Sequence, residues 1–203
     1  MTTGLLLVVS APSGAGKSTL CRALVDRWPN ARISVSCTTR APRPGETNGE
    51  DYFFLSETEF QQKARAGGLI ESAWVHDHHY GIPKDFVDGC LQEGRDVLLN
   101  IDVQGALSVK KLYPDSVCVY ICPPSFKVLA DRLRKRAQDD AATIAKRLAN
   151  AEKELAHLPE YDYMIVNEEV GEALADLLAV IRAEKRRVSR LNPKILCLDQ
   201  KNK

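Results

Sequence analysis

A glycine-rich stretch between an apolar run and an amphipathic run carries the residues best suited to chemistry. It reads Ala11-Pro12-Ser13-Gly14-Ala15-Gly16-Lys17-Ser18-Thr19. Small residues let backbone N–H groups close around phosphate oxygens, and a helix that starts there adds unpaired donors and a positive dipole end. In such a loop Lys17 reaches the β- and γ-phosphates, and the Ser18 hydroxyl is a ligand for Mg²⁺. The spacing predicts a site for a nucleoside triphosphate with magnesium.

The flanking elements support this interpretation over an ordinary Gly/Ser turn. Residues 5–9 are apolar throughout, as in a strand buried on both faces of a parallel sheet. Leu20, Ala23 and Leu24 have the spacing of one helical face. The usual phosphate-loop pattern has glycine where this chain has Ala11, and alanine fits there if its φ is below zero.

The rest of the chain alternates predicted strands with predicted helices. Besides residues 5–9, strands are predicted at 33–36, 97–102, 117–121 and 163–166. This order indicates an α/β fold, with a parallel sheet covered by helices on both faces. Residues 37–93 break the alternation and predict an inserted lobe with its own small sheet, including strands at 51–55 and 69–75. A capping box at Ser56-Glu57-Thr58-Glu59 opens a helix within that lobe.

The charge balance excludes several classes of protein. Lys and Arg number 28 against 27 for Asp and Glu, so a general nucleic-acid or membrane-surface binder is not expected. No stretch approaches the ~20 continuous apolar residues of a membrane span. The N-terminus lacks the pattern of a signal peptide, because the glycine loop interrupts its apolar run.

The cysteines and histidines do not form a recognisable metal motif. The cysteines are Cys21, Cys37, Cys90, Cys118, Cys122 and Cys197. Because none has the paired spacing of a zinc site, a reduced, cytoplasmic protein is expected. His76, His78 and His79 surround Asp77, and an exposed strand end or loop explains them better than a closed zinc site, which needs three or four ligands.

Polar residues in and just before the inserted lobe suit a phosphorylated acceptor. They are Ser36, Arg40, Arg43, Tyr52, Glu71 and Tyr80. Two arginines and two phenols suit a phosphate monoester, because guanidinium groups bind phosphate oxygens bidentately. Each arginine alone could be a solvated loop charge, but the prolines beside both hold their loop extended and favour a shared role.

Several stretches closely resemble guanylate kinases, nucleoside monophosphate kinases of the P-loop class. They are residues 34–46, 48–54, 70–71, 80–81, 101–105 and 165–168, within a match from about 4 to 190. The resemblance implies ATP + GMP ⇌ ADP + GDP with Mg²⁺. It also implies one domain over 1–190, with a core at about 1–36, 94–124 and 160–190, a GMP-binding lobe at about 37–93 and a helical lid at about 125–159. Residues 191–203 form a C-terminal tail.

The resemblance also implies a role for individual residues. The GMP phosphate would be held by Arg40, Arg43, Tyr52 and Tyr80. Ser36 and Glu71 would recognise the guanine. Asp102 would bind on the GMP side or orient Mg²⁺ weakly, and it also suits the N-cap of the following helix.

On the ATP side, the resemblance adds residues beyond the phosphate loop. The residues that would act on the transferring phosphoryl group are Lys17, Arg132, Arg136 and Arg147. Asn167 would lie near the adenine. Arg132 and Arg136 are four residues apart and share a helical face, which a solvated surface would also explain.

Two other functions remain open at this point. A scaffold domain of this type would bind peptides without catalysis, but Gly14, Gly16 and Lys17 are intact here. A P-loop kinase could also act on another phosphorylated acceptor, such as a ribose bisphosphate, although Ser36 and Glu71 favour guanine. The partners implied are ATP and GMP, and the sequence leaves a homo-oligomer open.

Overall fold

The computed structural model describes residues 4–75, 77–135 and 141–190. The strands in these ranges are β1 (Leu6–Ser10), β2 (Ala31–Ile33), β3 (Cys37–Thr38), β4 (Phe53–Phe54), β5 (Leu69–Val75), β6 (His78–Pro83), β7 (Asp96–Asn100), β8 (Val117–Cys122) and β9 (Tyr163–Val166). The helices are α1 (Lys17–Arg27), α2 (Glu57–Arg65), α3 (Lys84–Gln92), α4 (Val103–Leu112), α5 (Phe126–Lys135), α6 (Ala141–Leu155) and α7 (Val170–Glu184). The predicted tail at 191–203 lies outside the described residues.

The larger sheet is parallel and has the strand order β2-β7-β1-β8-β9. Strands β1 and β8 are buried at every position, as their apolar sequences predict. Val8 of β1 pairs with Leu99 of β7 on one side and with Cys118 of β8 on the other. Since the carboxyl ends of parallel strands meet at one edge, the phosphate loop after β1 lies beside Asp102, which follows β7.

Helices cover both faces of this sheet, which confirms the predicted fold class. On one face, Leu20 and Leu24 of α1 pack in a cluster with Leu177 of α7. On the other face, a second cluster contains Val87 of α3 and Val109 of α4. Alternate residues of β1 enter the two clusters, as the period of a strand requires.

A second, mixed sheet is inserted in the chain between β2 and β7. Its strand order is β4-β3-β6-β5, and β6 runs antiparallel to both of its neighbours. Phe60 of helix α2 is 1% exposed and stacks on His79 of β6, so α2 packs against this second sheet. The predicted capping box is present, because Ser56 accepts from the backbone N–H of Glu59 while Glu59 accepts from that of Ser56.

Three predicted strands differ from the structure by two or more residues at one end. The strand expected at 97–102 is Asp96–Asn100, because Asp102 is the N-cap of α4 and not a strand residue. The strand expected at 33–36 is found at Ala31–Ile33, and the one expected at 51–55 is the two-residue strand Phe53–Phe54. The physical reason is that residues 34–36 pass from one sheet to the other. The N–H of Ser34 still donates to Leu98 in the core sheet, whereas the carbonyl of Ser36 accepts from Phe53 in the second sheet.

Two further findings concern the described residues as a whole. The cysteines among them are all free thiols, namely Cys21, Cys37, Cys90, Cys118 and Cys122. None of the helices in these ranges combines the length and the apolar character that a membrane span requires.

Candidate active site

The phosphate loop connects β1 to α1. Gly14 and Gly16 have φ values of +97° and +91°, a left-handed conformation that favours glycine. Ala11 is not among the residues with positive φ, so alanine fits at that position. Gly16 is the N-cap of α1 and has no side chain to occupy the backbone donors of the first turn. Those N–H groups are therefore available to phosphate oxygens.

Lys17 lies among carboxylates at the edge where β1 and β7 end. Its Nζ donates a hydrogen bond to the carbonyl oxygen of Ile101 at 2.7 Å. Burial lowers the pKa of the ammonium from its ordinary value, while Asp102, Glu154 and Glu71 act in the opposite direction. A largely desolvated cation of this kind interacts more strongly with phosphate than one in open water.

A cavity of about 140 Å³ lies where the second sheet faces the end of β7. It brings together four of the predicted acceptor residues, which are Ser36, Glu71, Tyr80 and Asp102. These residues come from the link between β2 and β3, from β5, from β6 and from the end of β7. The cavity therefore joins the inserted sheet to the core sheet.

Glu71 is the most strongly perturbed carboxyl in this cavity. Burial raises its pKa to about 7, Asp102 adds to the increase, and Lys17 opposes it. The carboxylate lies against Gly105 in the first turn of α4, where any larger side chain would collide with it. Glu71 therefore lies between the first turn of α4 and the cavity that it lines.

Arg40 is already held in a fixed orientation. Its Nη1 and Nη2 donate to the two carboxylate oxygens of Glu46 at 3.0 and 2.8 Å, a bidentate arrangement. Hydrogen bonds from Arg40 and from the backbone of Arg43 hold the pKa of Glu46 below its ordinary value. This role of Glu46 was not predicted, although a carboxylate six residues after an arginine in a proline-rich loop is a usable signal in the sequence.

The two predicted phenols lie beside Arg40. Its guanidinium carbon is 5.5 Å from the centre of the Tyr52 ring. Glu46, and after it the Tyr80 hydroxyl, raise the pKa of the guanidinium. The rings of Tyr52 and Tyr80 are 5.9 Å apart and edge-on. Arg43 lies in the same loop with its side chain exposed. The predicted phosphate-binding residues therefore occupy one region of the second sheet.

The remaining ATP-side residues contact the phosphate loop or each other. Arg147 of α6 donates to the Ser13 hydroxyl at 3.2 Å. Asn167 donates through Nδ2 to the carbonyl of Ala15 at 2.7 Å. Arg132 of α5 donates to the carbonyl of Asn167 at 3.0 Å. Arg136, predicted on the same helical face as Arg132, lies outside the described residues.

The residues predicted to hold Mg²⁺ offer hard oxygen ligands beside the phosphate loop. Ser18 is exposed, and Asp102 is also exposed while one of its oxygens caps α4 by accepting from the Gly105 N–H at 2.8 Å. In proteins Mg²⁺ keeps several waters and binds through few side chains plus substrate phosphates, so this sparse oxygen set fits it. The two interpretations of Asp102, N-cap and cation ligand, are therefore compatible.

The histidine cluster does not form a metal site in the described part of the chain, where no group of three or more His, Cys, Asp or Glu side chains is placed to bind an ion. The ring of His79 instead stacks on Phe60 at 4.9 Å and lies edge-on to Trp74 at 4.4 Å. His76 lies outside the described residues.

Glu154 is a second acidic residue near the site that was not predicted. Glu154, near the end of α6, is half-buried and acts electrostatically on Lys17 and Asp102. Helical spacing in the sequence could have identified Glu154. Arg147, Ala151 and Glu154 are separated by four and three residues, so they lie on one face of a helix.

Comparison with known proteins gives a consistent result. The family model described as guanylate kinase matches residues 3–184. The chain is 46% identical over 187 residues to a guanylate kinase of Caldanaerobacter subterraneus, covering 92% of this chain and 91% of the relative. It is 48% identical over 180 residues to a guanylate kinase of Coxiella burnetii, covering 89% and 87%.

The fold comparison agrees with the sequence comparison. The crystal structure of guanylate kinase from Anaplasma phagocytophilum superposes with a TM-score of 0.73 at 34% identity, covering 97% of this chain and 95% of that one. Residues 3–184, which the family model matches, include the phosphate loop, the second sheet and helices α5 and α6. This chain belongs to the guanylate kinase family.

Proposed function

We propose that this chain transfers the γ-phosphoryl group of ATP to GMP, forming ADP and GDP. An oxygen of the GMP phosphate forms a bond to the γ-phosphorus, the bond from that phosphorus to the β,γ-bridging oxygen breaks, and this oxygen leaves with ADP. The observation that carries the proposal is the cavity lined by Ser36, Glu71, Tyr80 and Asp102 at the same sheet edge as Lys17. Such transfer is catalysed mainly by positioning and charge stabilisation, which this arrangement supplies.

Guanine recognition is assigned to Glu71 and Ser36. Guanine presents N1–H and the 2-amino group as adjacent donors, and an ionised carboxylate offers two acceptors at matching spacing. Adenine presents an acceptor at N1 and has no 2-amino group, so it would leave Glu71 without donors. The close contact of Glu71 with Gly105 supports this role, because it limits where the carboxylate can point.

Phosphate binding is assigned to Arg40, Arg43, Tyr52 and Tyr80. Arg40 is oriented by Glu46 before any ligand arrives, so less side-chain freedom is lost on binding. Glu46 occupies one edge of the Arg40 guanidinium, and the Tyr52 ring lies against one face of it. The acceptor phosphate must therefore approach the guanidinium from another side.

The ATP side is assigned to the phosphate loop, residues 11–19, with Asn167 near the adenine. Lys17, Arg132, Arg136 and Arg147 stabilise negative charge on the transferring group. Ser18, and weakly Asp102, would hold Mg²⁺, which would supply positive charge against the β- and γ-phosphates. Residues 37–93 then serve as the GMP-binding lobe and residues 125–159 as a lid, within one domain over 1–190.

This reaction belongs to purine nucleotide metabolism, and the protein would recycle GMP in the cytoplasm.

A coupled assay of ADP formation tests the proposal, with GMP, AMP, CMP, UMP and a sugar phosphate as acceptors. We expect turnover with GMP to exceed that with each other acceptor by at least about 10², because unpaired buried polar groups reject the wrong substrate. Turnover with the sugar phosphate in place of GMP would contradict the proposal and favour another kinase. Absence of turnover with every acceptor would contradict it and favour a scaffold domain.

The raised pKa of Glu71 predicts a pH dependence. Below about pH 7 the free enzyme carries a protonated Glu71, which has lost one of the two acceptors that guanine requires. We therefore expect kcat/KM for GMP to fall about tenfold per pH unit as the pH drops below that value, since kcat/KM reports the free enzyme.

The matched control is Glu71→Gln, which cannot titrate. The phosphate of GMP itself titrates near pH 6, but this affects both enzymes and cancels in their ratio. The ratio of wild-type to variant kcat/KM should therefore decline between pH 8 and pH 5. A constant ratio would show that Glu71 does not control acceptor binding.

A further inference from the structure

The hydroxyl of Tyr120 is a buried donor without a hydrogen-bond partner among the described residues. Tyr120 belongs to β8 and is 0% exposed. Its ring packs edge-on against Tyr161 at 5.2 Å, in a cluster that also contains Val103 of α4 and Leu155 of α6. Because an unpaired buried hydroxyl costs free energy, such a group calls for an acceptor in some state of the protein.

Glu154 is the carboxylate whose charge acts on the Tyr120 phenol. It precedes Leu155, which packs in the Tyr120 cluster, and its own side chain is half-buried. Among charged groups, Glu154 has the largest effect on the Tyr120 phenol, whose pKa is raised first by burial and then by this carboxylate. Glu154 also experiences attraction from Lys17 and repulsion from Asp102.

Binding of nucleotides changes the balance of forces on Glu154. In this structure Lys17 is the cation that attracts the carboxylate. Once phosphates engage Lys17, Glu154 loses that attraction and faces added negative charge beside Asp102. A rotation toward the Tyr120 hydroxyl removes the carboxylate from the phosphates and gives it a donor.

Helix α6 connects this contact to the phosphate loop. Arg147 lies two turns before Glu154 on the same helical face and donates to Ser13 at 3.2 Å. Ala151, between them, is 2% exposed, so this face of α6 is the buried one. Fixing Glu154 therefore fixes the rotation of α6 about its axis and, with it, the position of Arg147.

We propose that Glu154 is a positioning residue for phosphoryl transfer, which accepts a hydrogen bond from the Tyr120 hydroxyl when the nucleotides are bound and so holds Arg147 over the phosphate loop. The proposal rests on the proposed function for its kinetic consequence. Neither Glu154 nor Tyr120 touches the reacting atoms, so their removal acts on kcat through Arg147.

The decisive variant is Tyr120→Phe, which deletes a single oxygen. We expect kcat to fall about tenfold, the effect of losing one hydrogen bond to a charged group, while KM for ATP and GMP changes less than about threefold. The double variant Tyr120→Phe/Glu154→Ala should be no slower than Glu154→Ala alone. In an Arg147→Ala background, Tyr120→Phe should have no further effect on kcat.

Glu152→Ala is the matched control, since Glu152 is exposed on the same helix and should retain wild-type kinetics. A merely structural role is tested by Tm. Without nucleotide, Tyr120→Phe should melt no lower than wild type, whereas the increase in Tm on adding ADP and GMP should be smaller in the variant. This second readout needs no turnover.

Two results would overturn the proposal. The first is a Tyr120→Phe variant with wild-type kcat and a wild-type increase in Tm on adding nucleotides. The second is a double variant in which the kcat losses of the two single variants multiply. Absence of wild-type turnover with GMP would instead contradict the proposed function. In that case the nucleotide effect on Tm in Tyr120→Phe still decides whether the Tyr120–Glu154 contact forms.

Discussion

Replacing Lys17 with alanine is expected to lower kcat by at least about 10³-fold while the fold is retained. The ammonium lies among the groups that border both nucleotide sites and is largely desolvated, so its charge acts on the transferring phosphoryl group with little screening by water. Its hydrogen bond to the Ile101 carbonyl holds it at the end of β7.

The measurement is steady-state turnover at saturating ATP and GMP, with circular dichroism to verify the fold. Arg22→Ala is the matched control, because Arg22 is an exposed cation on the same helix, α1. Its kcat should stay within about twofold of wild type, as expected for an exposed surface charge. If Lys17→Ala turned over GMP at a near-normal rate, the assignment of Lys17 and the phosphate loop to phosphoryl transfer would be wrong.

Replacing Glu71 with alanine is expected to lower kcat/KM for GMP by roughly 10²–10³ and to leave AMP nearly unaffected. GMP loses paired hydrogen bonds to a charged acceptor, whereas AMP never gained them. Glu71→Gln should show a similar loss, because its amide group presents donors toward the guanine donors while keeping the shape of the side chain.

Both acceptors are measured at saturating Mg-ATP, with Glu93→Ala as the control. Glu93 is an exposed carboxylate paired with Arg95 on the surface, and such pairs contribute little to stability. Equal losses for GMP and AMP would assign Glu71 to structure or to phosphate positioning. Unchanged kinetics for both would exclude it from the acceptor site.

Elements whose signals are local were predictable from the sequence. The strand at 163–166 is found at those bounds, because an apolar run beside a turn defines it. The left-handed glycines of the phosphate loop and the capping box at Ser56 follow from residue types within a few positions. The conformation of these glycines and of the capping box depends on residues next to them in the chain, and the sequence gives those residues directly.

The contacts that join distant segments were not predictable in the same way. The bond from Lys17 to Ile101 and the bond from Arg132 to the Asn167 carbonyl depend on how strands pair across the sheet. The strand predicted at 33–36 was wrong for the same reason, since Ser34 hydrogen-bonds to the core sheet and Ser36 to the second sheet. Spacing identifies which residues could act, while only the tertiary fold determines which backbone groups they meet.

The strand order also has a consequence for synthesis on the ribosome. Strand β1, buried at every position in the finished protein, emerges first, yet its two neighbours are β7 and β8, which follow the entire inserted sheet. Until they emerge, an apolar strand has both edges unpaired, a state that favours aggregation. Early folding of the inserted sheet, whose strands lie closer together in the chain, shortens the loop between β1 and β7, so that the two strands pair sooner once β7 has emerged. The insertion that holds the acceptor residues thereby also governs how soon the nascent core can close.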